Sequence, residues 1–334
     1  MPNIKKILVI QLRRIGDVVL TTSAVEALRK KFPEAHIDFL VEPASAPVLR
    51  GNPNIDQVLV YDKKKSLLWL GKIFWARYDL VIDFLNNPRS ALLTFFGFAK
   101  IRLGFKYAYK GRSWAYNLKP LPDPKNKYMV DYKFDLLRPL GIERKNEKPL
   151  LVVDHKSLRQ AKEFFQSFGP HPWVGISPVS RRATRVWKKE YFAKISDYLT
   201  EKYKVKVIFF WGPGEEETIA QIFSLLRFPA VKYLPQGLEK LIAFISCCQL
   251  FISNDNGPRH LAVALGVPTV GVFGATSAIA CTPVEDQHRA IQSPLNCSPC
   301  FNNQCPTIEC MEQIKPEAVS KIIDELVNKK IVRF

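Results

Sequence analysis

Short runs of Ile, Leu, Val and Phe recur along the chain, separated by stretches in which apolar residues return at helical spacing. Residues 6–12 (KILVIQL), 36–41 (HIDFLV), 57–61 (QVLVY) and 79–84 (DLVIDF) read as strands, and 18–31, 66–76 and 88–98 as helices. The second half keeps the same rhythm. Helices are expected at 155–168, 189–202, 215–226 and 258–265, with a closing helix at 315–329. Strands are expected at 173–177, 206–211 (KVIFFW), 249–253 and 269–273. Strands alternating with helices predict mostly parallel sheets covered by helices on both faces.

The segment 120–154, with Pro120, Pro122, Pro124, Pro139 and Pro149, carries the expected domain boundary. At about 150 residues per domain, 334 residues suit two domains. The expected division is 1–150, 151–315 and a terminal helix in 316–334. The fold class is therefore α/β, two doubly wound domains facing a central cleft at the carboxyl ends of their sheets, where ligands bind in such folds.

Two apolar stretches test for membrane or export signals. Ile7 to Ile10 meets Gln11 and Arg13 too soon for a signal-peptide core. The uncharged run from Leu261 to Val284 has the length of a bilayer span, but Gly266, Pro268, Gly271 and Gly274 divide it. Neither is read as a membrane or export segment. Without a secretory signal, the seven cysteines are expected to be reduced in a cytoplasmic setting.

Charge adds a direction. The formal net charge is +18, and residues 1–150 hold 27 basic and 14 acidic side chains against 22 and 17 in the rest. Between Lys100 and Pro122 there is no acidic residue, while Tyr107, Tyr109 and Trp114 interleave with the cations. A surface of this kind suits nucleic acid, an anionic membrane face or an acidic substrate. Scattered solubilising lysines are the plainer explanation.

Five motifs carry chemistry. In Arg13-Arg14-Ile15-Gly16-Asp17, the carboxylate stands at the mouth of the first sheet, as a general base or merely as a helix cap. In Ser253-Asn254-Asp255-Asn256-Gly257-Pro258-Arg259-His260, a capped helix start offers free amides to a diphosphate. Hydroxyls and guanidinium groups in 177–187, among them Ser180 and Arg185, suit phosphate, or form an ordinary basic loop. Glu215 and Glu216 open a helix, where acidic residues favour the backbone dipole or meet ribose hydroxyls. Cys297, Cys300, Cys305 and Cys310 could hold a structural zinc, or remain reduced loop thiols. A GxGxxG fingerprint is missing, which argues against a dehydrogenase.

Taken together, ILVIQLRRIGDVVLTTSAVEALRKKFPEAHI, SNDNGPRHLAVALGVPTVGVFGATS and NCSPCFNNQCPTIECMEQI resemble glycosyltransferase family 9, the ADP-heptose:lipopolysaccharide heptosyltransferases, nearest to the group with types II and III. The resemblance implies a GT-B fold with the acceptor on the first Rossmann-like domain and the nucleotide sugar on the second. The terminal helix would cross back towards the first domain. It implies inverting transfer of heptose from ADP-L-glycero-D-manno-heptose to Kdo or a heptose of the inner core, with no required cofactor, at the inner face of the inner membrane.

Asp17 matches the family's catalytic carboxylate, and Asp255, Asn256, Gly257 and His260 its donor-binding block. Ser180 falls at a phosphate-contacting hydroxyl, and Glu215 or Glu216 at the ribose contact. Arg185 stands where Lys is usual, and Ala275 where Pro is common. Arg13, Arg14, Arg102, Lys106, Lys110 and Arg112 would face the anionic acceptor or the membrane surface. The rival readings are a GT-B transferase using another nucleotide sugar on a lipid-linked glycan, and a basic nucleic-acid-binding protein. No nucleic acid is expected, because no helix-turn-helix, RRM or zinc-finger pattern is present.

Overall fold

The computed structural model describes residues 4–106, 111–123 and 126–334, with Arg112 described by its backbone alone. The chain divides into two compact units, Met1–Val152 and Val153–Phe334.

The first unit holds β1 (Lys6–Ile10), β2 (His36–Val41), β3 (Gln57–Val60), β4 (Leu80–Asp83) and β5 (Ile101–Leu103) in one parallel sheet. Its order is β3-β2-β1-β4-β5. Every residue of β4 and all but the first of β1 are buried, so the strands read as unbroken apolar runs rather than alternating ones. The helices are α1 (Ile15–Lys31), α2 (Ser66–Ala76), α3 (Pro88–Phe96) and α4 (Met129–Leu137). Helix α1 is buried continuously from Val18 to Val25, which leaves it little amphipathic contrast. From β1 the chain builds towards β3, then returns to β4 and β5 on the other side. Loops after β1 and β4 therefore part at a topological switch point.

A buried carboxylate organises one of those loops. Asp83, fully buried at the end of β4, accepts the backbone amides of Leu85 and Asn86, each at 2.9 Å, and the Tyr116 hydroxyl at 2.7 Å. Burial pushes its carboxyl upward, and these hydrogen bonds pull it back. The Tyr116 ring fills the space beside Gly104, where a Cβ would collide with it.

The second unit holds β6 (Trp173–Ser177), β7 (Lys206–Phe209), β8 (Val231–Lys232), β9 (Leu250–Asn254), β10 (Thr269–Phe273) and β11 (His288–Gln292). All its pairings are parallel, in the order β11-β10-β9-β6-β7-β8. Its longer helices are α5 (His155–Gln166), α6 (Lys189–Tyr203), α7 (Glu216–Phe223), α8 (Leu238–Ser246) and α9 (Gly257–Ala264). The short α10 (Ala278–Cys281) and α11 (Glu309–Glu312) precede the closing α12 (Pro316–Asn328). Here the switch point lies between β6 and β9.

Helix α12 packs on α6, where Asp324 accepts the Tyr198 and Tyr203 hydroxyls, each at 2.5 Å, and the Lys202 ammonium at 2.9 Å. Within the second unit the closing helix packs on α6 and β10. The run Leu261–Val284 forms the end of α9, the strand β10 and the short α10. Among the described residues no helix is long and apolar enough to cross a membrane.

The central strands and the helices beside them match the periodicity. Three edge strands do not announce themselves: β5 (IRL) and β8 (VK) are short and charged, and β11 begins His-Arg. Short, charged edges resist pairing with other chains, and the same property hides them from a search for apolar runs. The proline-bearing segment also holds more than a linker, because α4 lies within it and packs on α1.

Tyr116→Phe leaves one hydrogen bond of a buried carboxylate unmade and is expected to cost about 1–3 kcal/mol. Urea unfolding measures this, and an unchanged midpoint would mean that Asp83 does not depend on the hydroxyl.

Candidate active site

Residues 11–14 turn the chain from β1 into α1 at the first switch point. Gln11 is buried and holds the turn from inside: its Nε2 donates to the Arg13 carbonyl at 3.1 Å, and its Oε1 accepts from Lys133 Nζ at 3.4 Å. Arg14 caps α1 at φ +70° with no side-chain capping bond, a sparsely populated conformation for a side chain of this kind. Asp17 lies inside the first helical turn, not at the cap. Its half-buried carboxylate makes no hydrogen bond or ion pair among the described residues.

Lys133, brought by α4, is buried with its ammonium 5.5 Å from the Phe84 ring centroid. Burial pulls it below an ordinary lysine, and the charge of Asp17 pulls it back up. The turn therefore sets a carboxylate without a hydrogen-bond partner, among the described residues, within electrostatic reach of a buried lysine.

In the second unit, two asparagines at the end of β9 lace the neighbouring loop to it. Asn254 donates to the Pro178 carbonyl at 2.6 Å and accepts the Trp187 amide at 3.0 Å. Asn256 caps α9 by accepting the Arg259 amide at 3.1 Å, while its Nδ2 donates to Ser177 Oγ at 3.0 Å and the Val179 carbonyl at 2.9 Å. With Arg259 N occupied and Pro258 lacking an N–H, Gly257 supplies the open amide at the helix start.

Above that start, Arg185 donates to Asp255 Oδ2 at 2.7 Å, and Ser180 Oγ donates to the Asp255 carbonyl at 3.3 Å. Asp255, His260 and Cys281 place a polar side-chain atom each within 4.8 Å of one another. Burial first, then Asp255, pushes the Cys281 thiol upward, so it stays protonated. The donor motif and the 177–187 loop, distant in sequence, are one structure.

Glu215 caps α7 from the loop after β7, and its Oε2 accepts the Gly212 amide at 2.7 Å; Glu216 is exposed in the first turn. Because the sheet is parallel throughout, the loops after β6, β7, β9 and β10 open on one edge.

The expected anionic-acceptor surface divides. Arg13, Arg14 and Lys106 are exposed. Arg102 instead braces the fold: its Nε and Nη1 donate to the Ala115 and Ala99 carbonyls, each at 3.0 Å. Lys110 and the side chain of Arg112 lie outside the described residues.

The four clustered thiols lie near one another, since Cys297, Cys300 and Cys305 each act electrostatically on Cys310, but no three of them come within 4.8 Å of one another. Cys297 and Cys300 are exposed, Cys305 is half-buried and Cys310 is buried beside Gly274. Among the described residues only Asp255, His260 and Cys281 gather three metal-ligand atoms within 4.8 Å, so the tetrathiolate set that the spacing allowed is not assembled. Backbone amides of Ile308 and Thr307 pull the Cys305 thiol below its ordinary value.

Arg259 escaped the sequence reading. It is 1% exposed, donates to the Cys281 carbonyl at 2.6 Å and Thr282 Oγ1 at 2.8 Å, and lies over the Phe273 ring. A side chain at Gly271 would collide with it. Within its polar motif Arg259 carries no mark of burial, and the one signal elsewhere is Gly271, two strand positions before Phe273.

Two parallel-sheet α/β units of this kind are the architecture of solved glycosyltransferases. A family 9 glycosyl transferase from Veillonella parvula superposes with a TM-score of 0.83 at 25% identity, covering 98% of this chain and 99% of that one. The ADP-heptose lipopolysaccharide heptosyltransferase II of E. coli shares the fold at 0.81 and 20% identity, over 98% and 100%. By sequence, lipopolysaccharide heptosyltransferase 3 of Escherichia coli (strain K12) is 27% identical over 80% of this chain and 82% of its own length. Lipooligosaccharide heptosyltransferase 2 of Campylobacter jejuni serotype O:6 is 26% identical over 93% and 95%.

The family model described as glycosyltransferase family 9 (heptosyltransferase) matches residues 70–310. The chain belongs to that family and is a glycosyltransferase.

Two measurements probe the site's electrostatics. With Lys133 depressed below 10.5, the unfolded chain binds more protons than the folded one as pH approaches that value, so stability must rise with pH there. Relative to Lys133→Met, the wild type should gain about 1.4 kcal/mol for each pH unit by which Lys133 is depressed. Urea titrations from neutral pH to 10.5 read the difference; parallel curves would place Lys133 in contact with solvent. Alkylation followed by mass spectrometry should modify Cys305 well before Cys248 and Cys281, whose thiols burial pushes up.

Proposed function

We propose that the protein transfers heptose from ADP-L-glycero-D-manno-heptose to Kdo or a heptose of the lipopolysaccharide inner core, with inversion and without a cofactor. The observation that carries this reading is the carboxylate of Asp17, which stands at the first switch point with no hydrogen-bond partner among the described residues. Family membership and the heptosyltransferase names of the relatives supply the sugar and acceptor.

In the proposed step, Asp17 takes the proton of an acceptor hydroxyl as that oxygen attacks the anomeric carbon from the face opposite ADP. The bond from the anomeric carbon to the diphosphate oxygen breaks, and ADP leaves with the electron pair. The Gly257 amide at the start of α9 and the Arg185 guanidinium hold the departing charge. Ser180 adds a hydroxyl to the phosphates, Glu215 or Glu216 meets the ribose, and Asp255 and Asn256 order the donor loop. Arg185 reaches the diphosphate by exchanging Asp255, so the donor must compete with an existing ion pair.

Arg13, Arg14 and Lys106 lie on the unit proposed to take the acceptor, whose phosphates and carboxylates they complement. A lipid-borne acceptor places the enzyme at the cytoplasmic face of the inner membrane.

Asp17→Asn keeps the size of the side chain but cannot accept the proton. It is expected to bind ADP-heptose with unchanged affinity and to slow ADP release by about 10²–10⁴-fold. Normal turnover by this variant would falsify the assignment of the base. Thermal shifts with ADP-, UDP- and GDP-sugars test the donor, and stabilisation by UDP-sugars alone would overturn it.

A further inference from the structure

Helix α2 carries apolar residues on two faces, and only one of them is used. Trp69 and Ile73 point into the core of the first unit, joined by Leu70 and Ala76 at its margin. Leu67, Leu68, Phe74 and Trp75, spaced i, i+1, i+7 and i+8, share another face and are 83%, 63%, 44% and 73% exposed. Between them Gly71 opens onto empty space, where a side chain would meet nothing within 4 Å.

This face continues through aromatic contacts into α3 and the turn Arg112–Ala115. Phe74 lies 5.6 Å from Phe98, Phe98 lies 5.9 Å from Phe95, and Phe95 lies 4.9 Å from Trp114. Phe98 and Trp114 are 60% and 51% exposed. Phe98 is held there at φ +46°, where glycine would be cheaper. An exposed apolar surface of this extent marks an interaction site.

The rim identifies the partner. Lys63, Lys64 and Lys65 are exposed immediately before α2, with Lys72 on it and Arg77 at its end. Neither 63–78 nor 84–122 contains a single Asp or Glu. Large aliphatic and aromatic side chains bordered by lysines match the headgroup boundary of an anionic bilayer. A second copy fits poorly, since a two-fold contact would set each basic rim against itself.

We propose that α2, the end of α3 and Trp114 form a docking surface that inserts into the interfacial layer of an anionic membrane. This deepens the proposed function by giving its membrane-borne acceptor a place of encounter, and it rests on that reading.

The test is co-sedimentation with vesicles of phosphatidylethanolamine, alone or with roughly one-third phosphatidylglycerol. The wild type should bind the anionic vesicles and lose binding as salt is raised. Leu68→Glu combined with Trp75→Glu should weaken binding by about tenfold or more. The same variant should transfer heptose to a deacylated core acceptor as the wild type does. Changing Lys63, Lys64 and Lys65 together to Gln should remove the preference for anionic vesicles.

Equal vesicle binding by wild type and the double variant would overturn the proposal. So would a stable wild-type dimer that the double variant dissolves, because a second copy would then cover the face. The two readings fail separately: vesicle binding needs no sugar nucleotide, and transfer to a deacylated acceptor needs no membrane.

Discussion

Both sheets are parallel, and helices cover their faces, so the interior strands have no wet side. Polar chemistry can appear only where strands end. A parallel arrangement brings all carboxyl ends to one edge, and the switch point in strand order parts two loops there. Asp17 and the α9 start occupy those positions in their respective units. The places of the proposed reacting groups follow from this restriction, as does the way the motifs come directly after apolar runs.

Loops at such an edge hold their shape only if their backbone groups find partners, since few apolar contacts restrain them. The protein meets this need with buried side chains that each satisfy several groups. Asn256 caps α9 and ties three atoms of the opposite strand and loop. Gln11 serves the first turn in the same way, and Asp83 serves the loop after β4. These groups touch no proposed reacting atom, yet they set where Asp17, Asp255 and Arg185 stand.

Charge is distributed by the same division of labour. The first unit keeps cations exposed around an apolar face and at the Asp17 turn. In the second, the important cations are engaged: Arg185 on Asp255, and Arg259 sealed beneath α10. The basic surplus of residues 1–150 is thus a surface property, whereas the arginines of the donor loop act locally.

Much of the fold was legible from residue pattern, because burial on both faces demands unbroken apolar runs and the helices between them must be amphipathic or wholly apolar. The strands HIDFLV, WVGIS and TVGVF appear where their runs lie. The turn residues and the order of motifs also identified the family. Pattern could not reveal edge strands such as IRL, whose stability comes from pairing with β4. Nor could it distinguish the uses of like side chains. Arg102 and Arg259 became braces, Lys133 became a buried neighbour of Asp17, and four closely spaced thiols came to differ in burial. Local spacing determines which backbone state a segment prefers and hence the elements and their order. The fate of each charge depends on what distant segments bring beside it, because desolvation and pairing are set by packing in three dimensions.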